Sequence, residues 1–293
     1  MSLSDQGTFQ AYCSHLMRVP LRYIKNRVRF KKKFSNEILY LKGRTQTNNT
    51  NQSILLFTSQ RCASVYVKNI IQRLVEEVGM AHINLANYAW KGGKLPRKTS
   101  GVFKKYGYFY GPFRDYPDPI YVDNLDDYKI VLMLRDPRDV LTSYYFHHAH
   151  ESVTKINGNP AQAKFILERS KEALSKTLDE WVLDTTPMYL KIYQTYAEEI
   201  FSRPNTLFLK YEDMVQDFDG WLQKLLEFLA LDTSQNTINE ILQKANFKVD
   251  REDVKAHKRQ VAPGDHKRKL KEETIKFLNL KFNDILATFD YTL

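Results

Sequence analysis

The sequence predicts an α/β protein, a single main domain whose central parallel sheet is flanked by helices. Three short apolar runs show no alternation of polar and apolar residues, which is the pattern of strands buried on both faces. Each run is followed by a helical pattern, and strands that alternate with helices predict a parallel sheet. Ligands of such sheets bind at the carboxyl ends of the strands, so we expect functional residues there.

The first predicted strand is SILLFT, at residues 53–58, and a short loop follows it. Apolar residues then recur at helical spacing from Val67 to Val78, and Gly79 is a typical stop for that helix. A shorter strand is predicted near GYFYG, at residues 107–111. The first strand, loop and helix therefore form one compact unit of the fold.

The second predicted strand is KIVLMLR, at residues 129–135, and an Asp-Pro pair follows it. Asp is a favoured N-cap and Pro is favoured at the first helical position, so a helix is predicted to run from there through SYYFHH. NTLFLKY, at residues 205–211, is the third strand and precedes another apolar helix face. Residues 270–289 are predicted to form a C-terminal helix.

The charge of the chain is concentrated in two segments. The 293 residues include 44 Lys and Arg against 34 Asp and Glu, a formal charge of +10, which indicates an anionic partner. Residues 18–33 hold eight basic and no acidic side chains, and residues 248–271 hold nine basic and four acidic ones. Because residues 43–52 form a polar loop, we predict a basic N-terminal extension at 1–50 and the main domain at 51–293.

Composition excludes several classes of protein. An apolar content of 43% argues against disorder, and two cysteines, Cys13 and Cys62, are too few for a disulfide scaffold. The sequence has no apolar run that approaches the length of a membrane span. We expect a cytoplasmic protein. Residues 18–33 either lie as a basic amphipathic helix on an anionic membrane surface, peripherally, or pack as a solvated surface helix.

The loop after the first strand is a candidate anion site. A helix N-terminus offers unpaired N–H groups and a partial positive charge, and the loop SQRCAS adds Arg61 and Ser64 to it. The signature GxxxxGK[ST] is absent from this loop, which argues against a magnesium-dependent NTPase or a nucleotide kinase. The chemistry of this loop therefore points to an anion and leaves its identity open.

The second motif, RDPRDVLTSYYFHH, is more specific. It puts Arg135 at the carboxyl end of a strand and Ser143 two turns into the next helix. An Arg fork and a hydroxyl that converge on one point can hold a terminal phosphate. The alternative is that Arg135 pairs with a carboxylate and Ser143 bonds to a helical carbonyl.

Four motifs in this order resemble those of sulfotransferases that use the donor 3′-phosphoadenosine 5′-phosphosulfate (PAPS). TSQRCASVY at 58–66 resembles the family's TYPKSGTTW, and RDPRDVLTSYYFH at 135–147 resembles RNPKDVAVSYYHF. A family-like YED stands at 211–213, and RQVAPGDHK at 259–267 resembles RKGxxGDWK. The resemblance covers roughly residues 53–290 and implies the P-loop-NTPase-like sulfotransferase fold.

The resemblance also implies a donor site. Arg61 stands where the family has a Lys that contacts the transferring sulfuryl group, and together with Ser143 it would stabilise the charge that develops there. The positions implied to bind the donor are Arg61 itself, the loop residues Cys62, Ala63, Ser64, Val65 and Tyr66 around the 5′-phosphate and adenine, Phe247 at the adenine, Arg135, Ser143 and Arg259 at the 3′-phosphate, and Tyr211 near the donor.

This chain departs from the family pattern at several of these positions. Arg61 replaces the Lys, and Val65 cannot supply the hydroxyl of a family Thr. Ala63 replaces the loop Gly, and Ala pays more than Gly for a left-handed conformation. His266 replaces the Trp of the last motif. We therefore expect a loop of somewhat different shape.

The catalytic base is left open by the sequence. Where the family has its base histidine this chain has Tyr110, and an unperturbed Tyr is a poor base at neutral pH. His82 is the other candidate, because it follows the first helix in a stretch suited to line an acceptor pocket. Asp115 and Asp118 are acidic alternatives. The histidines at the end of the second helix, expected at the surface or beside the 3′-phosphate, are His147, His148 and His150.

The preferred function is transfer of a sulfuryl group from PAPS to an acceptor hydroxyl or amine, with no metal ion and no nucleic-acid partner. Only twelve positions separate Phe247 from Arg259, which predicts an open site for a bulky acceptor such as a glycan or glycolipid. Residues 82–120 are expected to line it. The alternative is a non-catalytic protein on the same fold that binds nucleic acid or a membrane surface through its basic segments.

Overall fold

The computed structural model describes residues 26–45, 47–117, 120–151, 160–245 and 261–292. They form two compact units, divided after residue 46. In the smaller unit residues 26–33 are helical, and helix α1 spans Ser35–Leu41. Val28, on the apolar stripe of the basic segment, is 59% exposed. The rest of that stripe lies outside the described residues, and the domain boundary at residue 50 stays a prediction.

The larger unit is built on one parallel sheet. Its strands are β1 (Ile54–Thr58), β2 (Ala81–Ile83), β3 (Tyr108–Phe113), β4 (Lys129–Leu134) and β5 (Thr206–Lys210). They lie in the order β2-β3-β1-β4-β5, and every pair of neighbours is parallel. The predicted α/β class and the four predicted strands are confirmed. β2 was not predicted, because three residues are too few to show a period.

Helices connect the strands and cover both faces of the sheet. They are α2 (Ser64–Glu77), α3 (Leu85–Trp90), α4 (Pro137–Phe146), α5 (Pro160–Leu174), α6 (Leu178–Tyr196), α7 (Tyr211–Gln216), α8 (Phe218–Leu229), α9 (Gln235–Gln243), α10 (Asp265–Lys269), α11 (Glu272–Lys281) and α12 (Asn283–Thr288). α4 begins as predicted, because the Asp136 carboxylate accepts from the backbone N–H of Arg138 and Pro137 occupies the first turn. Within the described residues, these helices are too short or too polar to cross a membrane.

The two faces of the sheet are packed differently. On one face, alternate strand residues such as Leu56, Phe109 and Met133 pack against the apolar stripes of α2 and α8 in one buried cluster. β1 is buried along its whole length, so its other residues face a second layer. That layer includes α6, because the ring of Phe57 lies 6.3 Å from the ring of Tyr196. Burial on both faces explains why the strands read as continuous apolar runs.

Two tyrosines of α6 donate hydrogen bonds to backbone carbonyls at the carboxyl ends of three strands. The Tyr196 hydroxyl is 2.7 Å from the carbonyl oxygen of Thr58, which ends β1, and 3.2 Å from that of Phe113, which ends β3. The Tyr193 hydroxyl donates to the carbonyl of Arg135, directly after β4, at 2.5 Å. The two residues are three apart on one helix and therefore share a face. α6 thus fixes the edge of the sheet where ligands of this fold class bind.

The C-terminal helix is interrupted, which the sequence did not predict. α11 ends at Lys281, and α12 begins at Asn283, with Phe282 between them outside helical geometry. Phe282 and Phe289 are both fully buried. The predicted periodicity of residues 270–289 is real, but the break lets both rings reach the core.

We predict that Tyr196→Phe lowers the free energy of unfolding by about 1–2 kcal/mol, because it removes a buried hydroxyl that serves two strand-end carbonyls. The matched control is Tyr189→Phe in the same helix, whose hydroxyl is buried without a hydrogen-bond partner among the described residues. That control should be neutral or stabilising in urea unfolding. Equal losses of unfolding free energy in the two variants would show that the hydrogen bonds of Tyr196 do not stabilise the strand ends.

Candidate active site

The candidate site lies where β1 and β4 run side by side. The chain leaves β1 toward β2 on one side of the sheet and leaves β4 toward β5 on the other. Loops that diverge in this way leave a crevice at the carboxyl ends of the strands, which is the usual ligand site of open α/β sheets. Of the residues predicted from the sequence, Arg135 follows β4 directly, and Arg61 lies in the short loop after β1.

The β1–α2 loop presents a helix N-terminus that is open to an anion. Ala63, the N-cap of α2, has a left-handed backbone with φ of 53°, and within the described residues no side chain caps the helix. Arg61 is also left-handed, with φ of 63°. α2 has 14 residues, so the dipole at its N-terminus favours negative charge. Ala63 therefore holds a left-handed conformation at a cost in strain, and the expected difference from the family's loop shape stays a prediction.

Arg61 reaches from this loop to α4. Its Nε donates to the Ser143 hydroxyl at 3.0 Å, and its Nη1 is 3.4 Å from Nδ1 of His147. The structure therefore brings Arg61 and Ser143 together, and the Ser143 oxygen accepts from Arg61 rather than lying free at the surface. His147 stands beside the charged group that the sequence placed at the sulfuryl position.

Arg114 is a second cation at this edge, and the sequence analysis missed it. It follows β3 directly, and its Nε and Nη2 both donate to the Ser64 hydroxyl, at 3.0 and 2.8 Å. Burial lowers the pKa of the Arg114 guanidinium from its ordinary value, against the opposite effect of the Asp115 carboxylate. Its position in the sequence could have identified it, because the residue after a parallel strand lies at the edge of the sheet where ligands bind.

Arg135 is buried and held on two sides. Its Nη2 is 3.3 Å from a carboxylate oxygen of Asp139, and its guanidinium lies 4.4 Å from the ring centre of Tyr211. The carboxylate pairing that the sequence left as an alternative is thus present. Nε of Arg135 is buried and has no hydrogen-bond partner among the described residues. One donor of the fork is therefore available to a ligand.

Asp139 of the motif RDPRDVLTSYYFHH hydrogen-bonds to residues of the last motif, RQVAPGDHK. Its oxygens accept from the backbone N–H of Gly264 at 2.8 Å and of His266 at 2.9 Å, and Nδ1 of His266 lies 2.7 Å away. Burial alone would raise the pKa of Asp139, but the hydrogen bonds from His266 and the charge of Arg135 hold it well below its ordinary value. The His that replaces the family's Trp therefore has a polar partner in the core.

Tyr211 holds the start of the C-terminal segment. Its hydroxyl donates to the carbonyl of Val261 at 2.9 Å, and the Arg135 guanidinium lies over the face of its ring. This contact places Val261 beside the candidate site. Phe247 and Arg259, predicted at the adenine and at the 3′-phosphate, lie outside the described residues, and their roles stay predictions.

The remaining loop positions differ in exposure. Cys62 is buried, and burial raises the pKa of its thiol to about 12, so it is not a thiolate nucleophile. Val65 is 52% exposed on the first turn of α2. Tyr66 is half-buried, and its ring lies 6.1 Å from that of Phe218. An exposed aromatic edge at this position is compatible with the predicted adenine contact, which stays a prediction.

The structure does not support His82 as the base. His82 lies in β2 beside Phe109, on whose ring it stacks at 4.8 Å. Its Nε2 is 3.0 Å from the carbonyl oxygen of Gly111. Burial lowers the pKa of His82 to about 4, against the effect of that hydrogen bond. The edge strand β2, which the sequence did not reveal, places this histidine against the sheet.

Tyr110 is not supported as the base either. Its side chain is fully buried in β3, its hydroxyl accepts from the backbone N–H of Lys104 at 2.9 Å, and its ring packs on Phe103. Asp115 is exposed after β3, and Asp118 lies outside the described residues.

The three histidines after Ser143 do not share one environment. His148 is only 3% exposed, which contradicts the expected surface position, and burial lowers its pKa to about 3. His147 and His150 are partly exposed. In the described residues no three His, Cys, Asp or Glu side chains are grouped to hold a metal ion.

Glu212, the acid of the YED motif, is buried beside the site. One carboxylate oxygen accepts from the backbone N–H of Asp136 at 3.0 Å, and the other has no hydrogen-bond partner among the described residues. The hydrogen bond from Asp136 and the charge of Arg135 both lower the pKa of Glu212. Burial has the larger effect and raises that pKa to about 7.

We predict that Ala63→Gly raises the free energy of unfolding by about 0.5–1 kcal/mol, because Gly adopts the left-handed backbone without strain. The control is Ala287→Gly at an exposed position within α12, which should cost about 1 kcal/mol. Chemical denaturation measures both. A loss of stability at residue 63 would show that the loop is not strained there.

We predict that Glu212→Gln gains stability relative to the natural protein as pH rises from about 5 to about 8. A folded-state pKa above the unfolded value means that folding binds a proton, so the contribution of Glu212 falls as pH passes from about 4.5 to about 7. The expected relative gain is roughly 2–3 kcal/mol in unfolding free energy.

The control for this pH dependence is Glu180→Gln. Hydrogen bonds from the backbone and hydroxyl of Thr177 lower the pKa of exposed Glu180, so its linkage acts below about pH 4.5 and the relative stability of that variant should stay constant between about pH 5 and pH 8. A pH-independent difference for Glu212→Gln would refute the raised pKa.

Comparison with known proteins matches this arrangement to one family. The family model described as "Sulfotransferase domain" matches residues 119–282, more than half of the chain. Rat "Sulfotransferase 2A2" is 29% identical over 126 residues, covering 42% of this chain and 39% of that protein. Mouse "Sulfotransferase 1 family member D1" is 28% identical over 132 residues, covering 45% and 40%. The chain thus spans about two fifths of the length of these curated relatives.

A solved structure extends the likeness to the fold. The structure titled mouse sulfotransferase SULT7A1 complexed with PAP has a TM-score of 0.54 and 13% identity, and covers 86% of this chain and 94% of that one. At this identity the likeness concerns the fold. The family match, which covers more than half of the chain, shows that the chain belongs to the sulfotransferase domain family.

Proposed function

We propose that this protein transfers the sulfuryl group of PAPS to a hydroxyl or amine of an acceptor and releases adenosine 3′,5′-bisphosphate (PAP). The observation that carries the proposal is the set of cations at the carboxyl ends of three neighbouring strands: Arg61 lies in the loop before α2, Arg114 donates to Ser64 in the first turn of α2, and Arg135 follows β4. A double-ended anion such as PAPS would meet a cation near each of its charged ends.

The residues present fit such a donor. The first turn of α2 and the Ser64 hydroxyl would bind the 5′-phosphate, with Arg114 behind the hydroxyl. The buried Nε of Arg135 lacks an acceptor among the described residues, so a 3′-phosphate oxygen would satisfy it. Burial lowers the pKa of the Arg114 guanidinium even with the Asp115 carboxylate nearby, so an anion bound beside it would offset part of the cost of its desolvation.

The chemistry follows from the positions of the charges. PAPS, when bound, supplies an activated sulfuryl group. Arg61 then lies where negative charge gathers between that group and the leaving phosphate, and its fork can bind both. Ser143 holds the Nε side of Arg61, so the guanidinium is oriented before a ligand enters.

The acceptor is proposed to be bulky, such as a glycan or glycolipid. Support comes from the short spacing between Phe247 and Arg259 and from Trp90 in α3, which is 48% exposed and packs edge-on to Phe165. An exposed aromatic face suits a sugar ring or an acyl chain.

The expected acceptor lining over residues 82–120 needs one correction. Lys105 precedes β3, and its carbonyl accepts from Ser53, which precedes β1. Residues 104–107 therefore lie at the amino edge of the sheet, opposite the site.

The basic segment at residues 18–33 is left outside this function. Its described part, residues 26–33, holds five basic side chains and no acidic ones. Peripheral contact with an anionic membrane and a cytoplasmic location stay predictions, and no observation favours a non-catalytic role over the enzyme.

Calorimetric titration with PAP tests the proposal. Tight binding to the natural protein is expected, and Arg114→Ala should weaken it by about tenfold or more, because a hydrogen bond to a charged group contributes about 1.5–3 kcal/mol. The matched control is Arg73→Ala on the outer face of α2, where Arg73 forms an exposed pair with Glu240. Failure of the natural protein to bind PAP would overturn the proposed function.

A further inference from the structure

Residues 26–33 of the smaller unit form a basic helix, which the proposed sulfuryl transfer does not use. This helix carries five basic side chains and no acidic one. The nearest acidic residue before it in the sequence is Asp5, and the nearest one after it is Glu37. The basic helix therefore lies in a long stretch of the chain that has no carboxylate side chain.

The basic side chains of this helix are exposed and have no acidic partner. Within the described residues, none of the five takes part in an ion pair or a side-chain hydrogen bond. Arg27 and Lys31 are four residues apart, and so are Arg29 and Lys33. Like charges at this spacing lie next to each other on a helix and destabilise it in water. A negatively charged surface would offset that repulsion.

Val28 and Phe30 lie on opposite faces of the basic helix, about 160° apart at 3.6 residues per turn. The ring of Phe30 lies 4.8 Å from that of Phe34, which is only 3% exposed, so this face is the packed one. Val28 is 59% exposed on the other face. Lys31 and Lys32 lie on either side of Val28, about 40–60° away around the helix. The outer face therefore has an apolar centre with a basic rim.

An apolar centre with a basic rim fits the headgroup region of an anionic lipid bilayer. Basic side chains bind the lipid phosphates there, while an apolar side chain reaches the boundary with the acyl chains. Duplex nucleic acid also attracts positive charge, but contacts to its phosphates make no use of an apolar side chain. In the sequence, Met17, Leu21 and Ile24 precede Val28 at the spacing of one helical face. Charge and apolar pattern together favour a lipid surface.

We propose that the face of the basic helix around Val28 binds the surface of an anionic lipid bilayer and holds the protein there peripherally. The proposal does not depend on the proposed function, because none of these residues belongs to the candidate active site. The binding has an electrostatic part, which salt weakens, and an apolar part, which salt does not weaken.

The electrostatic part is tested by sedimentation of the full chain with phosphatidylcholine vesicles that contain or lack phosphatidylserine. The natural protein should bind only the vesicles with phosphatidylserine. The double variant Lys31→Gln with Lys32→Gln should bind them about 25-fold more weakly, since each basic residue near an anionic surface contributes roughly fivefold. The matched control is Lys191→Gln with Lys224→Gln, two exposed lysines of the larger unit, which should stay within about twofold of the natural protein.

The apolar part is tested by Val28→Ser, which should weaken vesicle binding by about fivefold or more. Its matched control is Leu280→Ser in α11, where the leucine is 76% exposed, and this variant should bind like the natural protein. Binding to a duplex DNA oligonucleotide is measured in parallel. Urea unfolding of each variant should match that of the natural protein, because the substituted side chains are exposed.

Three results would overturn the proposal. The first is vesicle binding that ignores phosphatidylserine, and the second is an equal loss in the two double lysine variants. The third is binding to the DNA in place of the vesicles, or vesicle binding that Val28→Ser leaves unchanged, since either would show a surface that recognises negative charge alone.

Discussion

The buried carboxylate of Asp139 is the interaction on which the rest of the site depends. A buried ionised group is tolerated only when it is paired and hydrogen-bonded, and Asp139 meets that demand with Arg135 and with the Gly264–His266 segment. Loss of that segment would remove three polar contacts from a buried carboxylate and leave it with the single ion pair to Arg135 among its described partners. The arrangement around Arg135 therefore depends on the packing of the C-terminal part of the domain onto α4.

Much of the fold could be predicted because its main elements carry their own signals. β1 and β4 are buried on both faces and read as apolar runs, and Asp136 marks the start of α4 in the sequence itself. The edge strand β2 has three residues and no period to detect. The break at Phe282 could not be read either, because the residues around it keep helical spacing and only the core decides where the helix bends.

The site was predictable only where the topology fixes a residue's position. Arg61 and Arg135 follow parallel strands, so their place at the ligand edge followed from the chain alone. Their partners did not, because Arg61 meets Ser143 across 82 residues and Arg114 meets Ser64 across 50. Such contacts arise from packing between elements, and neither local spacing nor residue type reveals them.

Two departures from the family pattern, Arg61 in place of a Lys and Tyr110 in place of a His, have a structural basis. A Lys in the β1–α2 loop would present a single nitrogen, whereas the fork of Arg61 contacts Ser143 through Nε and His147 through Nη1 at the same time. Tyr110, at the position of the family's histidine, is buried and bonded to the backbone of Lys104. The larger cation is therefore already held by a side chain of α4 in the free protein, and its orientation does not depend on a bound ligand.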